Sequence, residues 1–270
     1  MKNNIVCFFT VIILTLFFLS CNKSESDEPL VIVQPKLIKE VKNTETAGGI
    51  ISVNTHIFDY NNFGQIIRVS TKETPSNYTL YIYNGQIPEM KKVFANNLLI
   101  EEKEYPIFQI LDRYSERFIT PNGSGSNDTT QVIYTFVQNE ISEFRVIINQ
   151  PSVNLDMKYQ YGYTTGDLTN ITYTNFMNGI QGSPNTWAVR KLDNKSNPYL
   201  NANRINKILM SIGQDPLAKG KHNILELETT TPANGGTQIF THIYDADGYP
   251  LTTTSMLGAS TYRKEYTYTR

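Results

Sequence analysis

Cysteine is nearly missing from this chain. Its two copies, Cys7 and Cys21, lie within the first 21 of 270 residues. Everything after them lacks a thiol, which excludes a disulfide framework, a thiolate metal site and a cysteine nucleophile. Histidine is scarce as well, with only His56, His222 and His242. None of them falls in an H-E-x-x-H pattern, and neither G-x-S-x-G nor G-x-x-x-x-G-K-[ST] occurs. Basic excess is absent: 24 Lys and Arg stand against 25 Asp and Glu. That balance argues against a phosphate-backbone ligand, so no nucleic-acid partner is expected. Long apolar runs are limited to Ile5–Leu19, 15 residues. A membrane-spanning helix needs about 20.

What the chain has, it has at its start. Lys2 precedes the apolar run, and Phe18-Leu19-Ser20-Cys21 follows directly. A run of this length suits the core of a signal peptide. The small residue before the cysteine resembles the lipobox of bacterial lipoproteins, with Phe18 where that motif usually has leucine. The resemblance implies cleavage before Cys21, lipidation (palmitate included) at Cys21, and a membrane partner reached through the lipid. It divides the chain into a signal at 1–20, a tether at 21–34 and a single domain at 35–270. The acidic stretch Ser24-Glu25-Ser26-Asp27-Glu28 has two readings. It is a solvated spacer, or it resembles the surface-export signal of Bacteroides-type lipoproteins. Removing residues 1–20 leaves 250 residues with 23 basic and 25 acidic side chains, enough for one sizeable core.

Seventeen tyrosines and 13 phenylalanines point to aromatic strands. One unit recurs: an aromatic strand, a turn with Gly or Asn, a polar residue, then Ile or Leu. It runs from Phe58-Asp59-Tyr60 through Asn61-Asn62-Phe63-Gly64 to Ile66, and from Tyr81-Ile82-Tyr83 through Asn84-Gly85 to Ile87. Asn-Gly favours a two-residue hairpin loop because both residues accept positive φ. The unit returns at Tyr134 to Ile141 around Gln138-Asn139, at Tyr163 to Leu168 around Thr165-Gly166, and at Tyr244 to Leu251 around Asp245-Ala246-Asp247-Gly248. Further turns are expected at Asn96-Asn97, in the 121–128 loop and at Asn234-Gly235-Gly236.

Tyr244-Asp245-Ala246-Asp247-Gly248-Tyr249-Pro250-Leu251 resembles the tyrosine-aspartate (YD, Rhs-type) repeat, and Phe58 to Ile66 is similar to a weaker copy. With the lipobox, the opening Pro35-Lys36-Leu37-Ile38-Lys39 and the stretch Asp193-Asn194-Lys195-Ser196-Asn197-Pro198-Tyr199, the chain resembles a family of uncharacterised Bacteroides-type lipoproteins described as porin-like in fold. The resemblance covers most of residues 35–270 and implies no activity and no functional residues.

One segment departs from the β pattern. Between Asn203 and Gly213, Ile205, Ile208, Leu209 and Ile212 stand at helical spacing. Asn201 or Asn203 would cap this helix, Gly213 would end it, and its apolar stripe would cover the sheet. Several constellations invite chemistry and are weighed against plainer roles. Asp245-Ala246-Asp247-Gly248 resembles the start of a calcium loop, but the twelfth position is Met256 rather than Glu, so a plain turn is expected. His56 and His242 occupy equivalent places, each shortly before the aromatic strand residue of its repeat. They are a metal or acid–base pair, or two strand residues retained in repeat copies, the reading preferred here. Glu101-Glu102-Lys103-Glu104 reads as a charged sheet edge. Thr129, in Asp128-Thr129-Thr130 within a Gly/Ser/Asn-rich loop, fits a short pattern that Bacteroides-type bacteria O-glycosylate. Trp187, the single tryptophan, is a packing residue or a sugar-stacking one.

The sequence thus predicts an all-β fold: an antiparallel meander of repeated hairpins forming a barrel-like or open roll, with one short amphipathic helix. Its strands lack the uninterrupted apolar outer face of a transmembrane barrel. No catalytic residue, metal or cofactor is expected. The expected role is a lipid-anchored, non-enzymatic binding or scaffold protein of the cell envelope, an outer-membrane lipoprotein that is surface-exposed if the acidic stretch acts in export. Its ligand would be a glycan or a protein. The alternative is an envelope carbohydrate-active hydrolase using paired carboxylates, which would require two acids facing one cleft.

Overall fold

The computed structural model describes residues 36–104, 112–121, 127–230 and 236–269, without the side chains of 118–121, 127 and 257. Residues 35–270 form one compact unit. The first strands are β1 (Ile38–Ala47), β2 (Ile50–Tyr60), β3 (Ile66–Thr71), β4 (Tyr78–Asn84), β5 (Ile87–Ala95) and β6 (Leu98–Glu104). Then come β7 (Arg113–Pro121), β8 (Asn127–Val137), β9 (Glu140–Asn149), β10 (Asn154–Thr164), β11 (Asp167–Met177), β12 (Ile180–Gln181) and β13 (Asn185–Ser196). A short helix, α1 (Arg204–Leu209), precedes β14 (His222–Thr229), β15 (Thr237–Tyr244), β16 (Pro250–Leu257) and β17 (Ser260–Tyr268).

Neighbouring strands pair antiparallel, as the meander predicts. One long-range ladder was not legible: β1 lies between β2 and β17, with Val41 opposite both His56 and Tyr266. Ladders therefore run from β6 back to β1, across to β17 and on to β7. Among the described residues no ladder joins β6 to β7, and the sheet is an open roll. Side chains cross this seam instead. Lys103 Nζ donates to the Arg117 carbonyl at 3.4 Å, and Lys91 Nζ to Glu116 Oε1 at 3.3 Å. The charged edge expected at Glu101 to Glu104 is the exposed strand β6.

The repeated unit sits at one end of the roll. Five hairpins there place an aromatic residue opposite a buried residue of the return strand, each beside a register shift: Tyr60 and Ile66, Tyr83 and Pro88, Phe136 and Ile141, Tyr163 and Leu168, Tyr244 and Pro250. Two positions correct the sequence reading. Pro88 and Pro250, rather than Ile87 and Leu251, are the fully buried members, and Leu251 is exposed. A bulge or a strand's first residue tolerates proline because no ladder donor is needed there. The loop between Tyr83 and Pro88 also shifts by one residue. Asn84 pairs with Ile87, so the loop is Gly85-Gln86, and Gly85 takes φ 62°. That is the glycine-first pattern of a type II′ turn.

The tyrosines then tie one hairpin to the next. The Tyr60 hydroxyl donates to the Ile38 carbonyl at 2.7 Å, Tyr83 to Ile66 at 2.8 Å, Tyr163 to Ile141 at 2.7 Å and Tyr268 to Pro250 at 2.7 Å. Each bond joins strands at the end where no turn connects them. Replacing any one of these tyrosines with phenylalanine is expected to cost about 1 kcal/mol, measured by urea denaturation. A control at half-buried Tyr262, whose hydroxyl makes none of these carbonyl bonds, should cost much less.

The 197–221 connection plugs the same end. Asn197 opens it, donating to the Leu217 and Lys219 carbonyls at 2.8 and 3.2 Å. Asn203 caps α1 by accepting from the Asn206 N–H at 2.8 Å. Asn201 instead donates to the Lys36 carbonyl and the Tyr249 hydroxyl, both at 3.0 Å. Buried Asn206 accepts from the Ile66 N–H at 3.1 Å and donates to the Gly64 carbonyl at 2.8 Å. Ile208, Leu209 and Ile212 enter the core with Phe58, Tyr134, Phe144, Tyr161 and Tyr266 from the strands. The helix ends sooner than the sequence suggests. Met210 is its C-cap and Ser211 takes φ 55°. Gly213 serves packing: a Cβ there would lie 2.1 Å from the Phe144 ring.

Candidate binding face on the inside of the roll

Register places one aromatic side chain from each of five adjacent strands in a row on the inner face. Tyr114 lies opposite Tyr134, Tyr134 opposite Phe144, Phe144 opposite Tyr159, and Tyr159 opposite Tyr173. Their ring centroids are separated by 6.2, 5.0, 6.3 and 4.7 Å. Directly opposed aromatics on a twisted sheet stabilise each other. Tyr114, Tyr134 and Phe144 are buried under the plug, whereas Tyr159 and Tyr173 are half-buried. Trp187, opposite Ile171 on β11, packs against the same core. Along β10 the inner residues Met157 and Tyr159 are half-buried while Tyr161 is buried, so burial deepens toward the plug.

At its deep end the row meets a cavity of about 240 Å³ lined by Tyr81, Lys91, Tyr114, Glu116, Tyr134 and Ile208, among others. Among the described lining residues, Glu116 is the only carboxylate. It accepts from Lys91 Nζ at 3.3 Å and from the Tyr114 hydroxyl at 2.9 Å. Lys103 Nζ approaches it to 3.9 Å from a more exposed position. Burial, and secondarily the Glu116 charge, hold the Tyr81 and Tyr134 phenols well above their usual pKa. These groups remain protonated at neutral pH and can donate hydrogen bonds. They are poorly suited to act as bases.

The plug also holds two buried ammonium groups. Lys219 is fully buried, and its Nζ donates to the Ile212 and Asp215 carbonyls at 2.7 and 3.2 Å. Burial, partly offset by Asp215, lowers its pKa from 10.5 to about 7. The unfolded chain therefore binds a proton between pH 7 and 10.5 that the folded chain does not, so stability rises with pH across that window. Buried phenols such as Tyr161 and Tyr266 have raised values. Their contribution is intact below pH 10 and lost above it. Unfolding free energy is expected to climb on the order of 3 kcal/mol from pH 7 to 10, then fall. Urea titrations at several pH values would show this, and Lys219→Met should flatten the rise.

The residues singled out by sequence fall as follows. Cys21 lies outside the described residues, as do Asn234 and Gly235. Thr129 is not in a loop: it is the third residue of β8, between Ile119 and Asn149, and accepts from Asn149 Nδ2 at 3.3 Å. Asp245 accepts from the Asp247 and Tyr249 N–H groups, both at 2.9 Å, and Lys36 Nζ bridges Asp245 and Asp247. A lysine thus occupies the place between the two acids where a calcium loop would hold its cation. His56 and His242 are not equivalent. Counting back from the pre-turn tyrosines, His242 corresponds to Phe58 and His56 to Phe240. They stand on strands separated by β1, β17 and β16. His242 bonds to Thr253 and to the Ile224 carbonyl, whereas His56 meets Asn54. His222 pairs with Asp167 at 2.9 Å. Among the described residues no group of three or more His, Cys, Asp or Glu side chains could hold a metal ion. No described helix is long and apolar enough to cross a membrane. Lys91, Glu116 and the aromatic row escaped the sequence reading because they belong to different hairpins. Only cross-strand register unites them.

No protein-family model matches the chain, and no curated protein matches it. Among solved structures it is similar to a porin-like protein from Bacteroides vulgatus, at 12% identity and a TM-score of 0.47, covering 87% of this chain and 99% of that one. It is similar as well to a porin-like protein from Bacteroides uniformis, at 11% identity and a TM-score of 0.46, covering 87% of this chain and 98% of that one.

Proposed function

We propose that this chain is a lipid-anchored, non-enzymatic cell-envelope protein that binds a ligand on the inner face of its roll. The envelope placement rests on the apolar run and lipobox ending at Cys21. The binding role rests on one observation: an aromatic row that leads from half-buried Tyr159 and Tyr173 to a cavity furnished with Lys91, Glu116 and protonated phenols. Ring faces suit stacking against a sugar or another flat ligand, and the inward polar groups can fix its orientation. A glycan fits this chemistry better than a charged polymer. Paired-carboxylate hydrolysis finds little support, since the described lining of the cavity offers one acid, already engaged by an amine and a phenol.

Trp187 is the sole tryptophan and lies on the same inner face, which makes its fluorescence a reporter of binding. Titration with a panel of envelope and host oligosaccharides should change its emission saturably for at least one class. Tyr159→Ala with Tyr173→Ala should weaken that response at least tenfold. Release of reducing ends during the titration would favour the hydrolase, and no response to any glycan would contradict the binding face. Intact mass of the mature protein should show an acylated Cys21; an unmodified residue there would remove the anchor.

A further inference from the structure

Opposite the plug, hairpin tips carry the five most exposed aliphatic side chains among the described residues. Beside Gly48-Gly49 stand Ile50, 74% exposed, and Ile51, 66%. Beside Asn96-Asn97 stand Leu98, 70%, and Ile100, 64%. Ile180 and Met177 flank Asn178-Gly179, and Met256 precedes the Gly258-Ala259 turn. These four tips are distributed around the rim, on the β1–β2, β5–β6, β11–β12 and β16–β17 hairpins. Their turns contain only Gly, Asn and Ala, with charges set back at Glu45, Glu101 and Arg263. The turns at the plugged end mix apolar and charged groups: exposed Phe63 and Val137 stand there with Glu140, Asp167, Asp245 and Asp247, much of whose charge is committed to the plug or to Lys36.

We propose that this rim docks onto a lipid bilayer surface, with each tip dipping its aliphatics into the headgroup boundary. This goes beyond the ligand-binding reading and does not depend on it. A rigid protein partner would be met by one contiguous apolar patch. Separate uncharged tips carrying one to three aliphatics each match a fluid surface that every tip can enter independently. The tether permits the geometry. Lys36 is fixed at the plugged end through Asp245 and Asn201. Fourteen residues, the number from 21 to 34, can span at most about 48 Å, and an 11-residue strand such as β2 is about 37 Å long. A chain lipidated at Cys21 can therefore lie with its opposite rim on the same membrane.

The test uses residues 35–270, which carry all the described ladders and core and lack Cys21, so lipid anchoring cannot confound it. This body should float with vesicles of phosphatidylethanolamine and phosphatidylglycerol. The variant combining Ile50→Ser, Ile51→Ser, Leu98→Ser and Ile100→Ser should partition at least tenfold less, with an unchanged melting curve because all four side chains are exposed. A bimane dye on Gly49→Cys should be quenched by nitroxide lipids, whereas one on Asn62→Cys at the plugged end should not. Absence of flotation, equal flotation of the variant, or a tip-to-tip dimer abolished by it would overturn the proposal.

Discussion

Replacing Lys207 with alanine is expected to lower the unfolding free energy by about 3–5 kcal/mol. The side chain is 1% exposed. Its Nζ donates to the Asn139 carbonyl at 2.8 Å and to Glu140 Oε1 at 2.9 Å. Burial lowers its pKa and the Glu140 charge partly restores it, so the ammonium is costly to bury and depends on this pairing. Without it, Glu140 retains a long contact from the Gly220 N–H at 3.4 Å, and the Asn139 carbonyl loses a donor. The tie between α1 and the β8–β9 turn would be lost. Lys207→Met keeps the apolar stem and removes the charge, so it separates packing from pairing. If the pair matters as argued, the methionine variant recovers only part of the loss. Adding Glu140→Gln should recover more, because it removes the stranded charge. Urea denaturation of the single and double variants gives the coupling.

Gly213→Ala should cost about 3 kcal/mol, at the upper end of ordinary overpacking. The added Cβ would stand 2.1 Å from Phe144 Cδ2 and 2.4 Å from Cε2. Phe144 has little freedom to move, because it packs edge-on against Tyr134 at 5.0 Å and opposes Tyr159 across the ladder. The backbone at Gly213 is held too, since its carbonyl accepts from the Tyr161 hydroxyl at 2.5 Å. Shortening the neighbour should relieve the clash. The double variant Gly213→Ala with Phe144→Leu is expected to be more stable than the sum of the two single losses predicts. Strict additivity would place the role of Gly213 in its backbone conformation instead.

These two residues show where sequence reading stops. The helix was legible because Ile205, Ile208, Leu209 and Ile212 carry the period of 3.6, and Asn203 is a favourable cap. Its early end at Leu209, capped by Met210, was not, because Gly213 offered a stronger stop signal while being needed for contact with a strand some 70 residues away. Hairpins were legible from period-two alternation and turn residues. Their exact loops were less so, since a bulge before Gly85 moves the register by one. Pro88 and Pro250 occupy places expected for Ile87 and Leu251 because a bulged position makes no demand for a ladder N–H. The β1–β17 pairing, the seam between β6 and β7, and the meeting of Lys91 with Glu116 depend on three-dimensional register alone. Asp245 and Asp247 read as a plain turn, since Met256 stands where a calcium loop needs Glu, but the bridge to them from Lys36, more than 200 residues earlier, was not legible.

The recurring tyrosine explains why one end is sequence-rich and the other plain. At the plugged end the Tyr60, Tyr83 and Tyr163 hydroxyls must each find a particular carbonyl, which requires a tyrosine at a fixed place before the turn. At the opposite rim, turns need only two residues that accept positive φ, and Gly48-Gly49, Asn96-Asn97 and Asn178-Gly179 supply them. The plugged end is therefore specified by side chains and the rim by backbone geometry. This division leaves the rim's aliphatics free of structural duty.

Everything proposed for the inner face requires that residues 197–221 be a permanent part of the core rather than a detachable lid. Native-state hydrogen exchange measures this directly, through the Lys207 and Met210 amides of α1, which donate to the Asn203 and Asn206 carbonyls. The account predicts protection close to that of Ile147 and Thr172 in β9 and β11. Exchange of the α1 amides as fast as that of the rim turns, with the strands still protected, would contradict it.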